Sequence, residues 1–191
     1  ALLSACSRQV EVKIGVAVPM TGGLANLGKG ITQGAQTAVD ELNEEGFFID
    51  GKRAHFSLVV EDDKADPEQG KIAAQKLVDA GVHAVFGHLN SGVTIAAAPI
   101  YAKAGIAQMS ASTNPQYTRL GFKTAFRLSA DDTDQGSSLA RIAADRLHAK
   151  NVYIVDDKSL FGVGLMAEVA KVLKQKNVEP QSLSIAPTTK D

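Results

Sequence analysis

Tryptophan is missing from this chain and cysteine occurs once, at Cys6, so neither an internal disulfide nor a multi-cysteine metal site can be built from it. Aromatic residues make up only 5% of the sequence, and they are not interleaved with basic residues as a base-stacking platform requires. Surplus charge of either sign is absent as well, with 20 Lys and Arg against 21 Asp and Glu. Bulk attraction to nucleic acid or to an anionic membrane is thereby removed, and any partner has to be recognised by local groups. No apolar run approaches the ~20 residues of a membrane span, so the body of the chain is expected to be soluble. His55, His83, His88 and His148 are scattered without metal-ligand spacing, and neither a metal nor a cofactor is expected.

What remains is ordinary globular material, 45% hydrophobic and 21% charged over 191 residues, enough for one large domain or one domain and part of another. From Val12 onward short apolar runs alternate with longer amphipathic segments, the pattern of βα units building a parallel sheet. Residues 13–18 read as the first strand. A loop with Pro19, Gly22, Gly23 and Gly28 follows, and then Ile31, Ala35, Ala38, Val39 and Leu42 share one helical face up to Gly46. Residues 55–61 form the second strand and run into Glu61, Asp62 and Asp63. Asp66 and Pro67 have the form of a cap followed by proline at the first helical position, opening a helix to about Ala80. Residues 84–86 and 107–109 are short buried strands, and Ser91 lies where it caps the helix between them, through Ala104.

Beyond Pro115 the pattern loosens into an extended stretch at 125–128. Residues 131–134 then start a helix with Leu139, Ile142, Ala143 and Leu147 on its apolar face, and residues 152–155 begin a second sheet. Gly162 and Gly164 lead into a helix carrying Leu165, Val169, Val172 and Leu173, and 181–185 is the next strand. Two strands cannot bury both faces of their own sheet, so this second unit is expected to be unfinished. The division expected for this α/β chain is 1–11 as leader remnant and linker, 12–128 as a first lobe, and 129–191 as hinge and the start of a second lobe.

In open parallel sheets ligands bind beyond the carboxyl ends of the strands. The loop after the third strand is Gly87-His88-Leu89-Asn90-Ser91-Gly92, and that after the fourth is Ser110-Ala111-Ser112-Thr113-Asn114. A hydroxyl together with free backbone N–H groups at a helix start receives a carboxylate, and exposed carbonyls of a neighbouring loop accept from an ammonium. The two loops therefore have complementary capacity for the two charged ends of a free α-amino acid. The plainer reading leaves Ser91 as a helix cap and Ser110, Ser112 and Thr113 as a solvated turn. From the residues alone both stand.

The ordered set of landmarks goes further. It comprises residues 13–18, Met20-Thr21-Gly22, Gly34-Ala35 through Asp40, Asn43 and Gly46, Glu61-Asp62-Asp63 before Asp66-Pro67, and residues 87–91. Asp134-Gln135-Gly136, Asp156-Asp157-Lys158 and Phe161-Gly162-Val163-Gly164 complete it. In this order they resemble the branched-chain amino acid binding proteins of ABC importers, with the type I periplasmic binding fold, from Lys13 to Asp191. The resemblance implies Ser91 and Thr113 as carboxylate donors and the carbonyl of Ala111, with Ser112 beside it, as an ammonium acceptor. It implies Phe161 as a cover over the ligand from the second lobe, and Leu27 as an apolar wall where some relatives place tyrosine. Ala65 and Asn90 stand where some relatives have a cysteine pair. Relatives are nearly twice as long, and their acidic partner for the ammonium lies in a stretch this chain does not contain. A monomer that hands a leucine-, isoleucine- or valine-type amino acid to a membrane permease is implied, outside the cytoplasm. Leu3-Ser4-Ala5-Cys6 likewise resembles a bacterial lipobox, which makes Cys6 the expected lipidation site; an apolar stub with a chance cysteine is the plain alternative.

Three rivals compete with that expectation. Gly28, Gly30 and Gly34, with Glu61 to Asp63 ending the second strand, suggest a dinucleotide enzyme, but the glycines begin ten residues past Val18 rather than in a tight strand-to-helix turn. A hydrolase built on Ser91 and His88 lacks the G-x-S-x-G elbow, so His88 is expected to be structural and the acidic cluster a solvated strand end. A sensor domain keeps the fold and changes the job, ligand closure signalling to a partner instead of delivering cargo.

Overall fold

The computed structural model describes residues 9–185, so Cys6 and the lipidation expected there lie outside the described residues. Strand β1 (Val10–Val18) begins before the expected Lys13, because Val10 to Val12 already pair in parallel with Ala54 to Phe56. Its second half is buried on both faces, as a central strand of a parallel sheet must be. Helix α1 (Ala25–Glu45) takes in Gly28, which the sequence reading places in a loop. The cause is a close approach. A Cβ at position 28 would collide with the Pro19 carbonyl oxygen, so the first turn of α1 rests directly on the chain leaving β1.

Strands β2 (Phe48–Ile49) and β3 (Lys52–Asp62) form an antiparallel hairpin that the sequence reading lacks. Asp50 and Gly51, both at positive φ, make its two-residue turn, and an Asp-Gly pair between apolar residues is the usual signal for one. Helix α2 (Pro67–Asp79) starts as expected, with the Asp66 carboxylate accepting from the N–H groups of Glu68 and Gln69 at 2.9 Å. Then come β4 (Ala84–Gly87), α3 (Ser91–Ala104), β5 (Ala107–Ser110), the short α4 (Gln116–Arg119) and β6 (Ala125–Arg127). The resulting six-stranded sheet has the order β2-β3-β1-β4-β5-β6, and strand order reverses across β1 and β4. Leu77, Val85, Ala97 and Tyr101 fill the core where α2 and α3 cover the sheet.

The remaining chain contributes α5 (Asp132–Arg141), a π-helical turn at Ile142–Arg146, β7 (Tyr153–Asp156), α6 (Leu160–Gln175) and β8 (Gln181–Ser184). Two expectations change here. Leu139, Ile142 and Leu147 are exposed, whereas Gly136 and Ala140 are buried, because Gly136 lets α5 approach Glu168 and Val169 of α6 so closely that only small residues fit between them. Gly162 and Gly164 lie inside α6 rather than ahead of it, since Ser159 already caps the helix by accepting from the Gly162 N–H at 2.9 Å. Strands β7 and β8 pair in parallel. Ile154 packs with Ala140, Val169 and Leu173, while Tyr153, Val155 and Leu183 are exposed.

Gly28→Ala is expected to lower the urea midpoint by forcing α1 off Pro19, even though alanine favours a helix interior by ~1 kcal/mol. Gly30→Ala, where nothing lies within 4 Å of the added carbon, is expected to raise it. Equal shifts in the two variants would mean that the Pro19 contact does not constrain the fold.

Candidate functional site

Residues that follow the carboxyl ends of five strands meet in one cleft of about 620 Å³. Leu24 and Leu27 come after β1, Ala65 and Pro67 after β3, residues 89–93 after β4, residues 111–113 after β5, and Asp157, Ser159, Leu160 and Phe161 after β7. The cleft thus opens at the reversal of strand order, where open parallel sheets hold ligands. All six expected residues, Leu27, Ser91, Ala111, Ser112, Thr113 and Phe161, line it.

The first turn of α3 gives the cleft its positive end. Asn90, not Ser91, is the N-cap, and no side chain bonds to the free N–H groups behind it. The expected capping role of Ser91 is therefore wrong: Ser91 is the first helical residue, and its Oγ instead accepts from the Asn114 N–H at 3.3 Å. That bond uses a lone pair and leaves the hydroxyl proton to donate. An uncapped helix start with a hydroxyl donor on it is a site for an anion. Across from it, the Ala111 carbonyl accepts from the Ser129 hydroxyl at 3.3 Å and keeps a second lone pair. Ser112 is 2% exposed, and its Oγ has no partner among the described residues. The Thr113 carbonyl accepts from the Asp132 N–H at 2.8 Å. The apolar side of the cleft is open, with Leu27 57% and Phe161 41% exposed.

Local sequence explains this placement. Gly87 has φ 139°, and a Cβ there would run into the Ala17 carbonyl, so only glycine lets β4 end against β1. His88 follows, fully buried, with Nδ1 2.7 Å from Asp63 Oδ2 and Nε2 3.2 Å from the Tyr101 hydroxyl. Burial, helped by the nearby Asp63 charge, pushes the Tyr101 phenol far above its ordinary range and keeps it a donor. With the phenol donating to Nε2, Nδ1–H donates to Asp63. His88 is therefore structural and does not meet the Ser91 hydroxyl.

The acidic cluster is not the solvated strand end expected of it. Asp63 is buried under His88, and Glu61 pairs with Lys76 at 3.0 Å. Asp62 accepts from the Met20 N–H at 2.8 Å, the Lys64 N–H at 2.9 Å and the Thr21 hydroxyl at 2.5 Å. Partial burial pulls the Asp62 carboxyl upward, but these bonds outweigh it and hold it below the ordinary carboxylate value. The cluster is spent on shaping the loops after β1 and β3. Gly28, Gly30 and Gly34 all lie within α1, where the Gly28 N–H already donates to the Leu24 carbonyl at 3.1 Å, so the glycines do not form a strand-to-helix phosphate loop.

Two residues of the cleft region escape sequence reasoning. Asn114 joins the two parts of the chain, its Nδ2 donating to the Leu160 carbonyl at 3.3 Å, and its place directly after Thr113 was the available signal. Asp132 had none. It is fully buried, and among the described residues neither carboxylate oxygen makes a hydrogen bond of good geometry. A Cβ on Gly164 of α6 would stand 3.6 Å from its Oδ2. Burial, reinforced by the charges of Asp131 and Glu168, raises the Asp132 carboxyl above its ordinary value, while the Thr113 hydroxyl and Arg127 oppose the rise.

Comparison with known proteins gives consistent matches. A family model described as periplasmic binding protein matches residues 11–191. The Leu/Ile/Val-binding protein homolog 1 of Brucella melitensis is 38% identical over 170 residues, covering 88% of this chain and 45% of that protein. A leucine binding protein, LivK, from Thermotoga maritima superposes with TM-score 0.84 at 27% identity, over 94% of this chain and 50% of that one. The branched-chain amino acid transporter substrate binding protein LivJ from Streptococcus pneumoniae, solved in complex with isoleucine, superposes with TM-score 0.82 at 29% identity, over 95% and 51%. The chain spans about half the length of the relatives it matches. No helix among the described residues is long and apolar enough to cross a membrane.

Asp132→Asn is expected to raise the melting temperature at pH 7 by at least about 2 °C, by removing a buried charge that lacks a good partner. Because the folded-state carboxyl is raised above 3.8, the cost of ionised Asp132 is present above the folded value and disappears as pH falls toward 3.8. The gain from Asp132→Asn should shrink over that interval in melting curves taken at a series of pH values. A lower melting temperature for the variant at pH 7 would contradict this account.

Proposed function

The chain belongs to the periplasmic binding protein family, and we propose that it forms the ligand-gripping part of a binding protein for leucine-, isoleucine- or valine-type amino acids, serving an ABC importer outside the cytoplasm. The observation that carries this reading is the pairing, within one cleft, of an uncapped helix start bearing the Ser91 hydroxyl with the open apolar surfaces of Leu27 and Phe161. A free amino acid with an aliphatic side chain has the matching groups. The names and bound ligands of the relatives support it, and the relatives are binding proteins rather than enzymes.

In the proposed complex the ligand carboxylate takes the first-turn N–H groups of α3, the Ser91 hydroxyl and Thr113. Its ammonium takes the Ala111 carbonyl, with Ser112 adjacent. Charge-assisted bonds contribute roughly 1.5–3 kcal/mol each, so three or four approach the ~8 kcal/mol of micromolar binding once ordering costs are met. The aliphatic side chain then covers Leu27 and Phe161, at about 25 cal/mol per Å² of apolar surface removed from water. Residues 12–128 would act as the first lobe and 129–191 as hinge and second lobe, with the hinge near 129–132. Closure over the ligand would be what a membrane permease reads. A monomer, anchored by lipid at Cys6 or free, fits this role. A carboxylate held mainly by backbone and hydroxyl groups stays bound over a wide pH range, since none of those donors titrates near neutrality.

Calorimetry of the full-length protein with leucine, isoleucine, valine and a panel of other amino acids tests the reading, and no binding to any of them would end it. Ser91→Ala is expected to weaken leucine binding by roughly 1.5–3 kcal/mol, the loss of one charge-assisted bond. Unchanged affinity would remove Ser91 from the site.

A further inference from the structure

Ser110 closes β5 and is fully buried, yet it does not face the cleft. Its hydroxyl is engaged within the protein. It donates to the His88 carbonyl at 2.6 Å and accepts from the Ser112 N–H at 3.0 Å. Thr94 of α3 places its own hydroxyl 3.1 Å from Ser110 Oγ and 3.1 Å from the His88 carbonyl. The Ser110 proton is committed to the His88 carbonyl and one lone pair to the Ser112 N–H, and the oxygen is buried outside the cleft lining, so Ser110 has no direct part in holding a ligand. One oxygen therefore ties together the end of β4, the first turns of α3 and the loop after β5.

The two loops joined in this way are those that face each other across the polar end of the cleft. His88 stands three residues before Ser91, and Ser112 sits between Ala111 and Thr113. The Ser110 bond holds the Ser112 N–H, and Ser112 itself lines the cleft, its Oγ buried and without a partner among the described residues. Resting on the amino-acid reading of the cleft given above, we propose that Ser110 is a positioning residue for ligand recognition. Through Ser112 it sets the span between the start of α3 and residues 111–113, and hence the fit to a zwitterion. Loss of its hydroxyl leaves the His88 carbonyl still bonded to Thr94 but strands the buried Ser112 N–H, so the damage falls on the ligand-facing loop rather than on the strand.

The test is calorimetry of the full-length protein with leucine, isoleucine and valine, alongside melting curves without ligand, for Ser110→Ala and Thr94→Val. Thr94→Val removes a hydroxyl from the same knot without releasing Ser112. Ser110→Ala is expected to weaken all three amino acids by a similar factor, on the order of tenfold. Thr94→Val is expected to change affinity less than about twofold even where its melting temperature falls as much. A purely structural role would move affinity alike in both variants, and that result, or wild-type affinity in Ser110→Ala, would overturn the proposal. Should Ser110→Ala fail to fold, Ser110→Cys keeps the volume with a poor hydrogen-bonding group and is judged by the same comparison. If the unaltered protein binds none of the three, the reading of the cleft falls and this proposal with it; if it binds and the Ser110 variants bind equally well, only this proposal falls.

Discussion

The buried bond between Asp63 and His88 is the interaction on which the polar end of the cleft depends. Asp63 ends the chain leaving β3 and holds the Ala65 N–H at 2.9 Å as well as the imidazole, while its own N–H donates to the Val18 carbonyl at 3.2 Å. His88 in turn offers its carbonyl to Thr94 and Ser110. Four strand ends and one helix are thus tied by groups that have no access to water. Each buried group left without its partner costs about 1–3 kcal/mol, so no single loop can shift without penalising its neighbours. The outcome is a rigid surface that presents free N–H groups and a hydroxyl before any ligand arrives, so little ordering cost remains to be met on binding.

Much of this was legible in the sequence, and the misses share a cause. Alternation and helical spacing are local, so the strands and helices around Val16, Leu77, Val85 and Leu173 were found, and Asp66-Pro67 marked the start of α2 without ambiguity. The two hydroxylated loops stood out because open parallel sheets present the loops after their strands, but their residues left a solvated turn equally open, and Leu27 and Phe161 entered only through the family resemblance. What failed depended on contacts distant in sequence. Gly28 reads as a loop glycine until Pro19 is seen lying against it, and nothing in the local pattern says why position 136 is glycine until α6 is seen packed on it. Ser91 looks like a cap because serine at a helix start usually is one; only its bond to Asn114, 23 residues away, assigns it elsewhere. Glu61, Asp62 and Asp63 look like a solvated run because charge in sequence carries no information about burial.

Helix starts show where the fold leaves backbone N–H groups free for an anion: of the longer helices α1, after Leu24, and α3 have no side-chain cap, and only α3 carries a hydroxyl on its first residue. Asp66, Asp131 and Ser159 satisfy the first turns of α2, α5 and α6 with their own side chains. At α3 the capping position is Asn90, a residue well suited to the task, yet its side chain makes no cap bond and its Oδ1 is buried without a partner among the described residues. The free N–H groups of that turn, with the partial positive charge they carry, are left facing the cleft. A carboxylate arriving there replaces water rather than a protein acceptor, so nothing internal has to be broken for it to bind.

Beside this site the two parts of the chain touch through few polar contacts, of which the Asp132 N–H to Thr113 carbonyl bond, at 2.8 Å, is the short one. Asn114 reaches Leu160 at the long end of the hydrogen-bond range, and the neighbouring Asp132 carboxylate is buried without a good partner. On the proposed function, a ligand held by Ser91 and Thr113 on one side would favour the closed form only through what closure adds on the other, the apolar cover of Phe161, and moving a population from 1:99 to 99:1 takes about 5.5 kcal/mol of such differential contact. Stronger native contacts between the parts would close the cleft without cargo, and a permease reading closure would then receive a false signal. The poor partnering of the Asp132 carboxylate is therefore consistent with the task, because it adds no strong bond between the parts.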